Sequence, residues 1–149
     1  MTTETLKIFT QLAGNWHFHR TLSTAGSVTG NAHFELVAPN ILHYKEHGVF
    51  TTDTQKTYQV SREYGYCYDA TQDKVAVYFL CANQLDYLFH ELNFTSEKDD
   101  LLTATGIHVC REDRYSALYE FVHANEFNIT YHVMGPRKNY VSTTVFKRN

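Results

Sequence analysis

From Asn15 to Lys147 the chain alternates bulky and polar side chains with a period of two. Clusters of turn residues interrupt that pattern at intervals of about ten residues, the spacing of an all-β sandwich or barrel. A period of two places successive side chains on opposite faces of a strand. The runs predict strands at Asn15–Leu22, Val28–Leu36, Ile41–Phe50, Thr57–Tyr68, Lys74–Leu80, Tyr87–Phe94, Leu102–Val109, Tyr115–His123, Phe127–Met134 and Tyr140–Lys147. Thr24-Ala25-Gly26, Pro39-Asn40, Thr52-Asp53-Thr54, Thr71-Gln72-Asp73, Ser96 to Asp100 and Ala124-Asn125 separate most of them. Only Thr5–Leu12 has helical spacing, with Leu6, Phe9 and Leu12 on one face and Thr5 as candidate N-cap. Strands in this order with short connections predict an all-β fold, a single antiparallel up-and-down barrel of about ten strands with a short N-terminal helix. Closure removes free edges, which a chain this rich in Tyr, Phe, Val and Thr otherwise leaves open to aggregation.

Composition agrees. Aromatic residues make up 15% and charged residues 19%, the reverse of a disordered chain. The 149 residues fit one domain, 1–149, with no visible linker or repeat. A net charge of −3 supplies no basic field for a polyanion, so nucleic acid is not an expected partner. No window approaches a membrane span, and no basic segment precedes an apolar one at the N-terminus. Three widely spaced cysteines, Cys67, Cys81 and Cys110, form no CxxC pair and read as reduced thiols. The expected location is cytoplasmic, with a signal-less export route left open. The dinucleotide, P-loop, zincin, nucleophile-elbow and EF-hand motifs are absent.

Alternation assigns the inner face. Trp16, Phe18, Arg20 and Leu22 form the apolar set of the first strand, which sends the His17/His19 pair outward. Leu42, Tyr44 and Glu46 share one face of the third strand, and Tyr58, Val60, Arg62, Tyr64, Tyr66 and Tyr68 one face of the fourth. The expected lumen therefore holds Arg20, Glu46 and Arg62 among tyrosine hydroxyls. Buried charges need partners, from each other, water or a ligand. His90, between Leu88 and Leu92, reads as a buried neutral histidine or as a group that orients a ligand. His108 and Cys110 face one side of a strand, with Asp113 and Tyr115 following across a turn. A polar anchor or ligand contact is the favoured reading of this set, ahead of a transition-metal site or a Cys–His nucleophile. In Gly135-Pro136-Arg137-Lys138, Lys138 is either a solvated turn residue or, with Arg20 and Arg62, a candidate partner for an anionic group at the barrel mouth.

Gly14-Asn15-Trp16 at the start of the first strand and Arg148 after the last are similar to the GxW…Arg signature of the calycins. In detail the chain resembles a domain family of unknown function built as a small lipocalin-like barrel. The resemblance is carried by Gly14, Trp16 and Arg20; by Tyr44-Lys45-Glu46-His47-Gly48; and by Arg62, Tyr64 and Phe89-His90. Two more specific segments carry it further, His108-Val109-Cys110-Arg111-Glu112-Asp113-Arg114-Tyr115 and Gly135-Pro136-Arg137-Lys138-Asn139-Tyr140. Where that family usually has a Gly-containing turn, this chain has Cys81-Ala82-Asn83-Gln84-Leu85. The resemblance implies a calycin-like barrel with Trp16 and Arg148 packed at its closed end, and no established activity.

The expected function is binding of a small hydrophobic or amphiphilic ligand, with candidate contacts Arg20, Tyr44, Glu46, Arg62, Tyr64, His90, His108, Cys110, Asp113, Tyr115 and Lys138. The alternatives are an isomerase- or lyase-type enzyme using His90 or His108 as acid–base group, a haem-binding barrel with a histidine on iron, and a solid barrel that binds a protein through outer aromatic residues.

Overall fold

The computed structural model describes residues 2–96 and 101–148. Helix α1 (Glu4–Leu12) precedes ten strands: β1 (Gly14–Leu22), β2 (Gly26–Ala38), β3 (Ile41–Thr52), β4 (Thr57–Asp69), β5 (Lys74–Cys81), β6 (Gln84–Ser96), β7 (Leu102–Cys110), β8 (Asp113–His123), β9 (Glu126–Met134) and β10 (Asn139–Lys147). Each strand pairs antiparallel with the next, and β1 pairs with β10 to close the barrel. Of the expected turns, most of Ser96 to Asp100 lies outside the described residues. The β5–β6 hairpin turns without glycine, with Ala82 and Asn83 at φ of 52° and 63°. Positive φ at both central residues gives the twist that a two-residue hairpin needs. Gly26 (φ 134°) is required on a second count, because any side chain there would run into the Thr51 carbonyl.

The helix starts two residues earlier than its spacing implied. Thr3, not Thr5, is the N-cap, and its hydroxyl accepts from the Leu6 amide at 3.1 Å. Thr5 is instead buried with Phe9 and Leu12 on the face that α1 lays over one end of the barrel. That end is filled with rings. Trp16 meets Phe127 edge-on with centroids 4.8 Å apart, and Phe127 stacks on Phe146 at 4.4 Å. The Trp16 indole donates to the Leu12 carbonyl at 2.8 Å. Arg148 lies 4.0 Å above the Trp16 ring and donates to carbonyls of Gln11, Ala13 and Ala124. The packing of Trp16 with Arg148 implied by the GxW…Arg resemblance is thus present, as a cation–π contact locked by hydrogen bonds.

Alternation holds along β1 and β3: Trp16, Phe18, Arg20, Leu42, Tyr44 and Glu46 are buried, while His17 and His19 are exposed. It fails on β6. Val77 of β5 pairs with His90, but Tyr78 pairs with Leu88, which leaves Phe89 as an extra residue. The bulge turns Phe89 and His90 both inward and leaves Leu88 exposed, so Leu88 and His90 do not share a face as expected. Beyond the bulge β6 parts from β7. Among the described residues their ladder runs only from Asn93↔Thr105 to Ser96↔Leu102.

Candidate functional site

The middle of the barrel is a hydrogen-bonded polar floor. Arg20 from β1 makes a bidentate pair with Glu46 from β3, with Nη1 to Oε2 and Nη2 to Oε1 both at 2.8 Å. Arg20 Nε donates to Thr144 Oγ1 at 2.8 Å, and the Tyr44 hydroxyl donates to Glu46 Oε1. Burial alone would push the Glu46 carboxyl up. The hydrogen bonds and charge of Arg20, the Tyr44 hydroxyl and the charge of Arg62 outweigh it and hold the carboxyl below its ordinary range. Burial opposes the charge on Arg20 as well, but Glu46 overrides it and raises its pKa. Burial, with Glu46 beside it, pushes the Tyr44 phenol well up. A void of about 20 Å³ remains here, room for little more than a single water.

Above the floor an aromatic cup of about 340 Å³ opens at the barrel end opposite α1. Arg62 and Tyr64 of β4 line it, with Phe79 of β5, Phe89 of β6, His108 and Cys110 of β7 and Tyr115 of β8. Tyr131 and Tyr140 complete the wall from β9 and β10. Phe89 stacks on Tyr64 (5.6 Å, 17°) and on Tyr131 (5.9 Å, 12°). Burial raises the pKa of Tyr64, partly offset by the charge of Arg62, and raises that of Tyr131 strongly. The phenols therefore stay neutral at physiological pH.

Arg62 is the exception in this wall. It stands directly opposite Glu46 on the β3–β4 ladder, yet it is exposed at the mouth and not buried in the interior as alternation suggested. Glu46 instead takes Arg20 as its bidentate partner, with the Tyr44 hydroxyl donating to it as well. Among the described residues Arg62 forms no ion pair, and it lines the cup.

The candidate residues thus fall into groups. Arg20, Tyr44 and Glu46 form the floor. Arg62, Tyr64, His108, Cys110 and Tyr115 line the cup. Asp113 and Lys138 sit on the rim, outside the cup lining, where Lys138 Nζ lies 3.5 Å from Asp113 Oδ2 and donates to the Tyr115 hydroxyl at 2.9 Å. A side chain at Gly135 would overlap Asp113, so the two specific motif segments meet at this rim. His90 does not line the cup. Its ring lies behind Phe89 at a centroid distance of 4.5 Å, with Nε2 3.1 Å from the Tyr131 hydroxyl. It therefore cannot present a nitrogen to iron in the cup. Among the described residues no three His, Cys, Asp or Glu side chains converge as metal ligands. Phe79, Phe89, Tyr131 and Tyr140 were missed as cup residues. Strand alternation on β9 and β10 carried the signal for the two tyrosines.

A family model described as a family of unknown function, DUF6314, matches residues 12–148. No curated protein sequence matches significantly. Among solved structures, the S-type phycobiliprotein lyase CPES from Guillardia theta is similar over 96% of this chain and 91% of its own, at 9% identity and TM-score 0.66. The redesigned barrel mFAP1 bound to DFHBI is similar over 95% of this chain and 98% of its own, at 13% identity and TM-score 0.46. At 9% identity the likeness to the lyase is one of fold. No helix among the described residues is long and apolar enough to cross a membrane.

Proposed function

Because the chain belongs to DUF6314, a family of unknown function, its role has to be read from the cup itself, and we propose that it binds a small amphiphile with an aromatic or planar body and an anionic group. The observation that carries this reading is Arg62: a guanidinium with no ion pair among the described residues, in a cup lined mostly by aromatic rings. The volume lies at the low end for small-molecule sites, and a few polar groups in an apolar wall are the usual lining of such sites. Stacked rings favour a flat body, and a guanidinium binds a carboxylate, sulfonate or phosphate with two parallel hydrogen bonds. The small void below the cup leaves no room for a longer tail.

The test uses 8-anilinonaphthalene-1-sulfonate, a flat aromatic anion whose fluorescence rises in apolar surroundings. Arg62→Gln keeps the stem and removes the charge, and it should weaken binding roughly tenfold, the worth of one charge-assisted hydrogen bond. Equal affinity in the two proteins would overturn the reading. Mass spectrometry of small molecules released from protein purified from its own host would identify the natural ligand.

A further inference from the structure

The parting of β6 and β7 leaves a second hollow in the barrel wall, distinct from the cup. It is shallow, about 480 Å³, and shares only Phe89 and His108 with the cup lining. On its flanks Leu88, Ile107 and Val109 are exposed, an apolar surface that the cup does not use. The one charged side chain in its lining, Glu91, sits 3.7 Å from Lys74. At its base lies His90, 2% exposed. Its Nε2 meets Tyr131, whereas its buried Nδ1 has no hydrogen-bond partner.

That Nδ1 points across the seam. A Cβ on Gly106 of β7 would stand 2.7 Å from it and 2.9 Å from the Glu91 carbonyl oxygen. Gly106 therefore leaves a bare backbone opposite the imidazole, at the point where the ladder stops. A buried polar atom without a partner has lost its hydration uncompensated, a loss that a ligand group reaching it would recover.

We propose that the β6–β7 seam is a second binding site, which takes a neutral amphiphile through an alkyl stem on Leu88, Ile107 and Val109 and a hydrogen-bonding head on His90 Nδ1. Among the described residues the lining holds no Lys or Arg, which disfavours an anion. Burial holds His90 neutral, so it offers a hydrogen bond and no charge. A primary amide both donates and accepts, and so matches either imidazole tautomer. The site stands independently of the cup reading, since it neither contains nor needs Arg62.

The probe is octanamide, titrated into the isotopically labelled full chain and followed by backbone amide shifts and by the histidine ring nitrogens. Octanamide should move the amides of Ile107 and Val109 and shift the His90 Nδ1 resonance. His90→Phe keeps a buried ring, and Ile107→Ser changes only an outward side chain; each should weaken binding roughly fivefold, as expected for one neutral hydrogen bond or one apolar contact. Arg62→Gln should leave octanamide binding unchanged, and octanoate should leave the seam unperturbed. Shifts confined to Tyr64, Tyr115 and Tyr140 would overturn the proposal, as would no shift up to the solubility limit. Neither result would bear on anilinonaphthalene sulfonate in the cup.

Discussion

A carboxylate has two oxygens, and at Glu46 both are engaged, by the Arg20 fork and the Tyr44 hydroxyl. Arg62 stands outside that pair and lines the cup instead. At the sequence level Arg20, Glu46 and Arg62 are three charges with a shared inward parity. Which two pair depends on the closeness of β1 and β3 across the barrel interior, and alternation carries no such information. His90 is a second group defined by its surroundings. Burial, with His108 nearby, lowers its pKa from 6.5 to about 4. Between those values the unfolded chain binds a proton that the folded chain excludes, so stability falls as pH drops through this window and is unaffected above it. The full loss is about 3 kcal/mol. Urea denaturation at pH 7 and pH 4.5 should show a stability drop in the wild type that is smaller by most of that amount in His90→Phe. Equal drops would refute the assignment.

Strands carry their own evidence unevenly. β1 and β3 were fully legible, because the residues on their inner faces differ plainly in bulk from those on their outer faces. β6 was not. Leu88, His90 and Leu92 read as one face, but the extra residue at Phe89 shifts the parity, and a bulge depends on its partner strand as much as on its own sequence. The aromatic cup was half legible for the same reason: Tyr64, His108 and Tyr115 keep parity, whereas Phe89 gains its place through the shift. The bulge also has a consequence for exchange. The amides of β6 before Asn93 and of β7 after Thr105 that face the seam have no ladder partner. Hydrogen exchange should find them faster than amides of the continuous β1–β2 ladder by about the factor that separates local opening from global unfolding. Uniform protection around the barrel would show that the seam is closed in solution.

At the scale of the whole molecule, closure rests on β1 pairing with β10 and on the Arg148 fastening beside it. One guanidinium joins α1, the β8–β9 connection and the indole of β1. Arg148→Ala should lower stability by about 2–3 kcal/mol, from one cation–π contact and several charge-assisted hydrogen bonds, read as the urea midpoint with an unchanged m-value. Lysine should not restore it, because a single ammonium cannot span those carbonyls. An alanine variant as stable as the parent would remove Arg148 from the account of closure.

The pairing of His17–Leu22 with Ser142–Lys147 joins segments more distant along the chain than any other ladder. During synthesis the outer edge of β1 thus emerges well before β10, the strand that pairs with it. Throughout that interval a nascent chain of this composition displays an open, aromatic-rich β edge to its neighbours. Its maturation is therefore most exposed to misassembly just before β10 arrives, and slow elongation there would prolong the hazard.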